Sequence, residues 1–176
     1  MKTEEELILK AKEFDEQTLA KLCEKYYKVI YHYIYYRTSN IQDAEDLTHE
    51  VFVRMVNNIN EQKGNFKSWL YTIAKNLLTD YYRKKQFRKT MEQLNKMEDM
   101  HTSTLPMEHE ILDREVLRVA IKELSQEQQD VIVLKYISDL SNQDVAHIIK
   151  KSEGAVKVIA NRAIQKLKHS MEIINV

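Results

Sequence analysis

The sequence predicts an all-α protein made of two small helical domains joined by a flexible linker. Only two glycines and one proline occur in 176 residues, and a mostly β protein would need many more turn-forming residues. Residues that favour helices, such as Leu, Lys, Glu, Gln and Ala, are abundant. Apolar residues also recur three or four positions apart through most of the chain, which places them on one face of a helix.

Composition divides the chain into three segments. From residue 91 the apolar periodicity fades, acidic residues outnumber basic ones, and Pro106 ends the segment. These are features of an interdomain linker. We therefore expect a first domain at residues 1–90, an acidic linker at 91–106 and a second domain at 107–176.

Charge and cysteine content limit the class of protein. Lys plus Arg and Asp plus Glu both number 27, so the net charge gives no overall sign of nucleic-acid binding. The single cysteine, Cys23, permits no internal disulfide, and no apolar run has the length of a membrane span. The N-terminal segment is acidic, unlike a signal peptide. We expect a cytoplasmic protein without membrane insertion.

The first domain begins with helices predicted at residues 3–13 and 15–37. Thr3 and Glu6 have the spacing of a capping box at the start of the first helix. The second helix contains six tyrosines, more than one buried stripe requires. We attribute the excess to amphipathic packing with hydroxyls that reach solvent.

A third helix, predicted at residues 41–59, has an acidic outer face. Asp43, Asp46 and Glu50 lie there, and Val53 stands among them. An apolar residue within an acidic face suits contact with a basic protein partner. Single exposed valines are also common on protein surfaces, so an ordinary solvated face stays open as an alternative.

The central element of the first domain is the helix predicted from Phe66 to Lys89, FKSWLYTIAKNLLTDYYRKKQFRK. Its apolar stripe faces inward, and its other face combines Tyr71, Thr72, Lys75, Asn76, Thr79, Tyr82 and Arg83. Stacking rings beside the basic run that follows suit an unpaired nucleic-acid strand. The alternative is that the rings contact a neighbouring helix and that the cations interact with the helix C-terminus.

The second domain is predicted to contain four helices. One begins just after Pro106, and Ser125, Ser141 and Ser152 each open a further helix. The last two match a helix-turn-helix, with Ala146 as the small residue where the helices approach. A plain three-helix bundle could show the same pattern. The residues that the last helix would present to a major groove are Ser152, Glu153, Ala155, Lys157, Val158, Asn161 and Arg162.

No pattern in the sequence is typical of an enzyme. There is no phosphate-cradling glycine loop, no metal cluster and no nucleophile with an oriented base. His101 and His109 do not have a zinc-binding spacing. We expect neither catalysis nor a cofactor nor a metal.

Three motifs stand in order along the chain: AEDLTHEVFVRM, FKSWLYTIAKNLLTDYYRK and LSQEQQDVIVLKYISDLSNQDVAHII. They resemble the second-region helix, the promoter-melting helix and the fourth region of bacterial sigma factors of the extracytoplasmic-function group. The resemblance covers nearly the whole chain. It implies a four-helix region 2-like bundle followed by a region 4-like helix-turn-helix domain. It also implies a protein that binds core RNA polymerase, directs it to promoters and helps to open the duplex.

The resemblance assigns roles to three sets of residues. Those implied to face the polymerase clamp helices are Asp43, Glu45, Asp46, His49, Glu50, Phe52 and Val53. Those implied to hold the non-template strand of the −10 element are Asn65, Phe66, Trp69, Tyr71, Lys75, Asn76 and Arg83, with phosphate contacts from Lys84, Lys85 and Arg88. The seven residues of the last helix would read the −35 element as duplex.

The sequence departs from the family pattern at five positions. His49 replaces a usual glutamine, Lys150 and Lys151 replace a glycine and an apolar residue in the turn, and Val158 and Ile159 replace polar residues. Aliphatic side chains weaken hydrogen-bonded readout of bases, although valine can contact a thymine methyl.

Two other functions stay open at this point. A helix-turn-helix regulator acting without polymerase would leave the acidic helix and the aromatic face unexplained. A helical adaptor that binds only protein would leave the Lys and Arg cluster without a role. The sigma-factor interpretation also admits an anti-sigma protein as a partner.

Overall fold

The computed structural model describes residues 3–95 and 109–174, which are helical and contain no strand within those ranges. The N-terminal half, residues 3–95, consists of α1 (Glu4–Lys12), α2 (Glu16–Thr38), α3 (Ile41–Asn58), a 3₁₀ turn (Ile59–Glu61) and α4 (Phe66–Asn95). The C-terminal half, residues 109–174, consists of α5 (His109–Lys122), α6 (Gln126–Ile132), a π-helical segment (Val133–Ile137), α7 (Asn142–Ile149) and α8 (Glu153–Ile174). The all-α class is confirmed.

Local hydrogen bonds explain where the helices begin. The predicted capping box of Thr3 and Glu6 is present, and Ser125 forms another with Gln128. The Ser152 hydroxyl accepts a hydrogen bond from the Ala155 amide at 3.2 Å and starts α8 in the same way. These contacts lie within one helical turn, so the sequence reveals them directly.

α4 continues to Asn95 and so extends into the predicted linker. Residues 91–95 are therefore helical. The remainder of that segment, up to Pro106, lies outside the described residues. The domain boundaries at 90 and 107 stay predictions.

The core of the N-terminal half lies between α2, α3 and α4. Apolar side chains from all three helices are fully buried there: Leu22, Ile30, Ile34, Val51, Met55, Leu70 and Ala74. Tyr26 extends this core toward the start of α4, with its ring 5.2 Å from that of Phe66. Burying rings and branched side chains on three helices fixes the position of α4.

The C-terminal half packs α6, α7 and α8 around a second group of buried side chains. Val145, Ala146 and Val156 lie where α7 and α8 approach, as the helix-turn-helix pattern predicts. α7 ends at Lys150, whose φ of 56° and ψ of 50° place it in the left-handed region. Glycine is usual there because a side chain clashes with its own backbone.

The two halves contact each other. α7 packs against α4, and the π-helical segment packs against α2. The π-helical segment has no hydrophobic period of its own, so the sequence did not predict it. It brings the Ser138 carbonyl within 3.0 Å of the Lys67 ammonium on α4.

Candidate polymerase and nucleic-acid interfaces

The outer face of α3 exposes part of the set implied to contact polymerase. Glu45, Asp46 and His49 are exposed, and Val53 is 40% exposed. An exposed valine among acidic side chains is therefore a property of the folded helix, and it can serve a protein contact.

The other three members of the α3 set are held by the chain itself. Asp43 accepts a hydrogen bond from the Tyr81 hydroxyl at 2.6 Å, and Glu50 pairs with Arg54 at 2.8 Å. Phe52 is only 8% exposed. Its ring packs against Tyr27 at 6.0 Å between α2 and α3, so it is not part of the exposed outer face, and its implied polymerase contact stays a prediction.

A turn that ends in a cap precedes α4. Gly64 adopts a φ of 68°, which favours glycine, and the Asn65 side chain accepts a hydrogen bond from the Ser68 amide at 2.8 Å. Asn65 is exposed but is already engaged as the cap. Phe66, implied to contact DNA, is instead buried at 3% exposure against Tyr26 and Trp69, because it begins the apolar stripe of α4.

Tyr71 is the largest departure from the predicted open face of α4. Its side chain is fully buried, and its ring lies 5.4 Å from that of Tyr33 in an edge-to-face arrangement. Tyr71 is therefore not exposed for stacking on a base, because its ring packs against Tyr33 of α2, and its implied role stays a prediction. Burial raises the pKa of Tyr71 to about 12.

The more C-terminal part of the same face of α4 is open. Asn76 is exposed there and Lys75 is partly buried, whereas Trp69, which precedes Tyr71, is also partly buried. The basic residues beyond them, Arg83, Lys84, Lys85 and Arg88, are all exposed, and Arg83 pairs with Asp80. This run can follow a phosphate backbone without rearrangement.

Sequence reasoning missed Phe87 in the basic run of α4. Its ring is 66% exposed and lines a small concavity with Arg83, Lys84 and Arg88. An exposed ring among cations is the combination that stacks on unpaired bases. Its position inside RKKQFRK was the available signal.

The face that α8 is predicted to present to duplex DNA is open. Lys157, Asn161 and Arg162 are exposed, and Val158 is 48% exposed. Ser152 and Glu153 are exposed at the start of the helix, while Ala155 is partly buried. The side chains needed for groove contact are thus already accessible.

Two family models match the chain in the order of the two halves. The model for Sigma-70 region 2 matches residues 22–88, and the model for Sigma-70, region 4 matches residues 120–169. The ECF RNA polymerase sigma factor SigW of Bacillus subtilis (strain 168) is 30% identical over 180 residues, covering 93% of this chain and 94% of SigW. The chain belongs to the ECF RNA polymerase sigma factors. The region 2-like and region 4-like division of the chain is confirmed.

Another relative is longer than this chain. The ECF RNA polymerase sigma factor BldN of Streptomyces coelicolor is 31% identical over 167 residues, covering 92% of this chain but 63% of BldN. RNA polymerase sigma factor YlaC of Bacillus subtilis (strain 168) is 28% identical over 160 residues, with 88% and 92% covered.

Two solved structures share the fold. CnrH, in complex with the cytosolic domain of CnrY, has a TM-score of 0.75 at 18% identity, covering 95% of this chain and 96% of that one. The sigma factor RpoE of Bartonella quintana, in complex with the anti-sigma factor NepR, has a TM-score of 0.74 at 22% identity, covering 88% and 96%. No described helix of this ECF sigma factor is long and apolar enough to span a membrane.

Proposed function

We propose that this ECF sigma factor binds core RNA polymerase through the outer face of α3, holds the −10 strand on α4 and reads the −35 duplex with α8. It acts in the cytoplasm and contributes binding energy rather than chemistry, since polymerase carries out RNA synthesis. An anti-sigma factor, the class of protein bound to the Bartonella fold relative, is a candidate partner.

The observation that supports the proposal is that the N-terminal half exposes an acidic face with a valine on α3 and a basic run on α4. α3 exposes Asp46 and Val53, while α4 exposes Lys84, Lys85 and Arg88. A regulator that binds DNA without polymerase has no use for the first face. An adaptor that binds only protein has no use for the second.

The polymerase-binding role is tested by Asp46→Arg. We expect loss of binding to core polymerase and of run-off transcription, because the substitution puts a cation into an acidic contact surface. Asp46 is exposed, so the thermal midpoint should stay nearly unchanged.

Glu13→Arg is the matched control for this experiment. Glu13 is also exposed in the N-terminal half, at the end of α1, so the substitution changes net charge equally. It should leave polymerase binding intact. Unfolding of Asp46→Arg, or normal transcription by it, would contradict the assignment of α3.

A further inference from the structure

The C-terminal turns of α4 carry an apolar ring that the core does not use. The Tyr82 hydroxyl donates to the Arg37 carbonyl and so ties α4 to the end of α2, but residues 83–91, which follow, are all exposed. Phe87 lies among them. At 66% exposure it is the most exposed large apolar side chain in the part of the chain that the structure describes. Its ring therefore adds little to the stability of the fold and is free to contact a ligand.

Phe87 forms one wall of an open concavity of about 400 Å³, and cations form the other walls. These are Arg83, Lys84 and Arg88, all exposed, with Arg83 paired to Asp80 one turn earlier. A base that stacks on a ring brings its own phosphate with it, and Lys or Arg side chains beside the ring can neutralise that phosphate. The concavity thus offers both parts of a nucleotide a partner.

A second, smaller concavity of about 160 Å³ shares Lys84 and Arg88 with the first. Tyr81 and Lys85 of α4 complete its lining, together with Asp43 of α3. Three cations against one carboxylate leave this lining positive at neutral pH, which suits a phosphate group. The two concavities therefore place a stacking ring and a phosphate site next to each other on one helix.

The Tyr81 hydroxyl holds Lys85 at the second concavity. It donates to Oδ2 of Asp43 at 2.6 Å and accepts from Nζ of Lys85 at 3.2 Å, and that ammonium lies 5.4 Å from the centre of the Tyr81 ring. Burial and the Asp43 carboxylate raise the pKa of Tyr81 above its usual value, so the phenol stays neutral and keeps donating to Asp43. A lysine restrained in this way loses less side-chain entropy when it binds a phosphate.

We propose that Phe87 and its neighbouring cations form an additional nucleotide subsite for the unpaired promoter strand. The ring stacks on one base, and Lys84, Lys85 and Arg88 hold the adjoining phosphate. Tyr81 is a positioning residue, because it acts through Lys85. The inference deepens the proposed function of α4 and rests on it, since the strand becomes available only when the promoter opens.

Helix geometry limits where this base lies along the strand. Phe87 follows Asn76 by eleven positions, which is ~16 Å along the helix axis. Neighbouring nucleotides are roughly 3.4 Å apart in a stacked strand and farther apart in a stretched one. A strand that follows the exposed cations of α4 therefore places the two bases no more than about five nucleotides apart.

Phe87→Ala tests the role of the ring in the complex of the full chain with core polymerase. Fluorescence anisotropy on a labelled promoter with a mismatched bubble should show an affinity about fivefold or more below the parent. Phe87→Tyr keeps an aromatic ring and should bind like the parent, whereas Phe87→Leu keeps apolar surface without a ring and should bind weakly. Leu9→Ala is the matched control, because Leu9 is 64% exposed on α1 and should not affect affinity.

Abasic substitutions along the non-template strand identify the base that the ring contacts. One abasic position should erase the difference between the parent and Phe87→Ala, because both partners of the contact are then missing. The same series with Asn76→Ala locates the base assigned to the −10 set. The two positions should differ and lie within about five nucleotides of each other.

Tyr81→Phe tests the positioning role in the same assay. The variant keeps the ring and removes the hydroxyl that holds Lys85, so the affinity should fall about two- to tenfold. In a Lys85→Ala background the substitution should have no effect, because the side chain that it positions is absent. A loss that persists in that background would overturn the positioning role of Tyr81.

Equal affinities of Phe87→Ala and the parent would overturn the subsite. A loss that no abasic position erases would also overturn it, because the ring would then not contact a base. These results leave the −10 assignment standing if Asn76→Ala weakens binding and an abasic position erases its effect. Normal binding by Asn76→Ala, beside a loss in Phe87→Ala that one abasic position erases, would support the subsite and overturn the assignment of Asn76.

Discussion

The two faces assigned to DNA differ in how accessible they are. On α8 the groove-facing residues Lys157, Val158 and Arg162 are exposed, whereas on α4 Tyr71 is fully buried and Trp69 is partly buried. The difference fits the ligands proposed for the two faces. Duplex DNA is present from the start, and polar side chains can await it in water. Rings that receive unpaired bases, as proposed for α4, would expose apolar surface in the free chain, and packing buries that surface.

The largest expected effect is the difference in the free energy of unfolding between Tyr71→Ala and Val158→Ala. Tyr71→Ala should lower the free energy of unfolding by about 3 to 5 kcal/mol, because it leaves a cavity where a buried ring packs against Tyr33. Val158→Ala should change it by no more than about 0.5 kcal/mol, since that side chain lies on the surface. Urea denaturation followed by circular dichroism measures both. Equal effects would show that the two faces are equally open.

This contrast marks the limit of what the sequence predicts. Thr3, Ser125 and Ser152 start their helices through bonds to residues three positions away, so a local pattern reveals them. The spacing of apolar residues along α4 likewise predicts the stripe that faces the core.

The covering of α4 could not be predicted in the same way. The bond between Arg37 and Asp130 joins residues 93 positions apart, and nothing in either neighbourhood indicates the other. Tyr71 was assigned to an open face because helical periodicity shows which residues share a face, but not which partner covers it. The π-helical segment, which contacts α2, likewise has no sequence pattern that predicts it.

The raised pKa of Tyr71 should make the free energy of unfolding depend on pH. Its folded-state pKa of about 12 lies above the ordinary value of 10, so the neutral phenol contributes stability that is present below pH 10 and is lost as the pH rises through 12. Over that interval the free energy of unfolding should fall by about 2 kcal/mol more in the parent than in Tyr71→Phe.

Denaturation at several pH values between 9 and 12.5 tests this expectation. Tyr71→Phe keeps the ring and removes only the titrating hydroxyl, so it is the appropriate reference. Identical pH dependence in the two proteins would mean that Tyr71 is accessible to water and that α4 is open like α8.

A smaller effect on the free energy of unfolding is expected in the turn between α7 and α8. Lys150→Gly should raise the free energy of unfolding by about 1 kcal/mol, because Lys150 is exposed and adopts left-handed backbone angles that favour glycine. Lys151→Gly is the control, since Lys151 does not have a positive φ and loses its ion pair with Glu127. A gain in Lys151→Gly but not in Lys150→Gly would contradict this account of the turn.

The most direct test of the difference between the two faces is the spread of distances between the halves in the free chain. Spin labels at Lys28 on α2 and Lys168 on α8, both exposed, report that distance by double electron–electron resonance in a Cys23→Ala background. We predict one narrow distance in the free chain, because α7 packs against α4 and the π-helical segment packs against α2. A broad distribution of distances would contradict the claim that the C-terminal half packs on α4 and covers part of it.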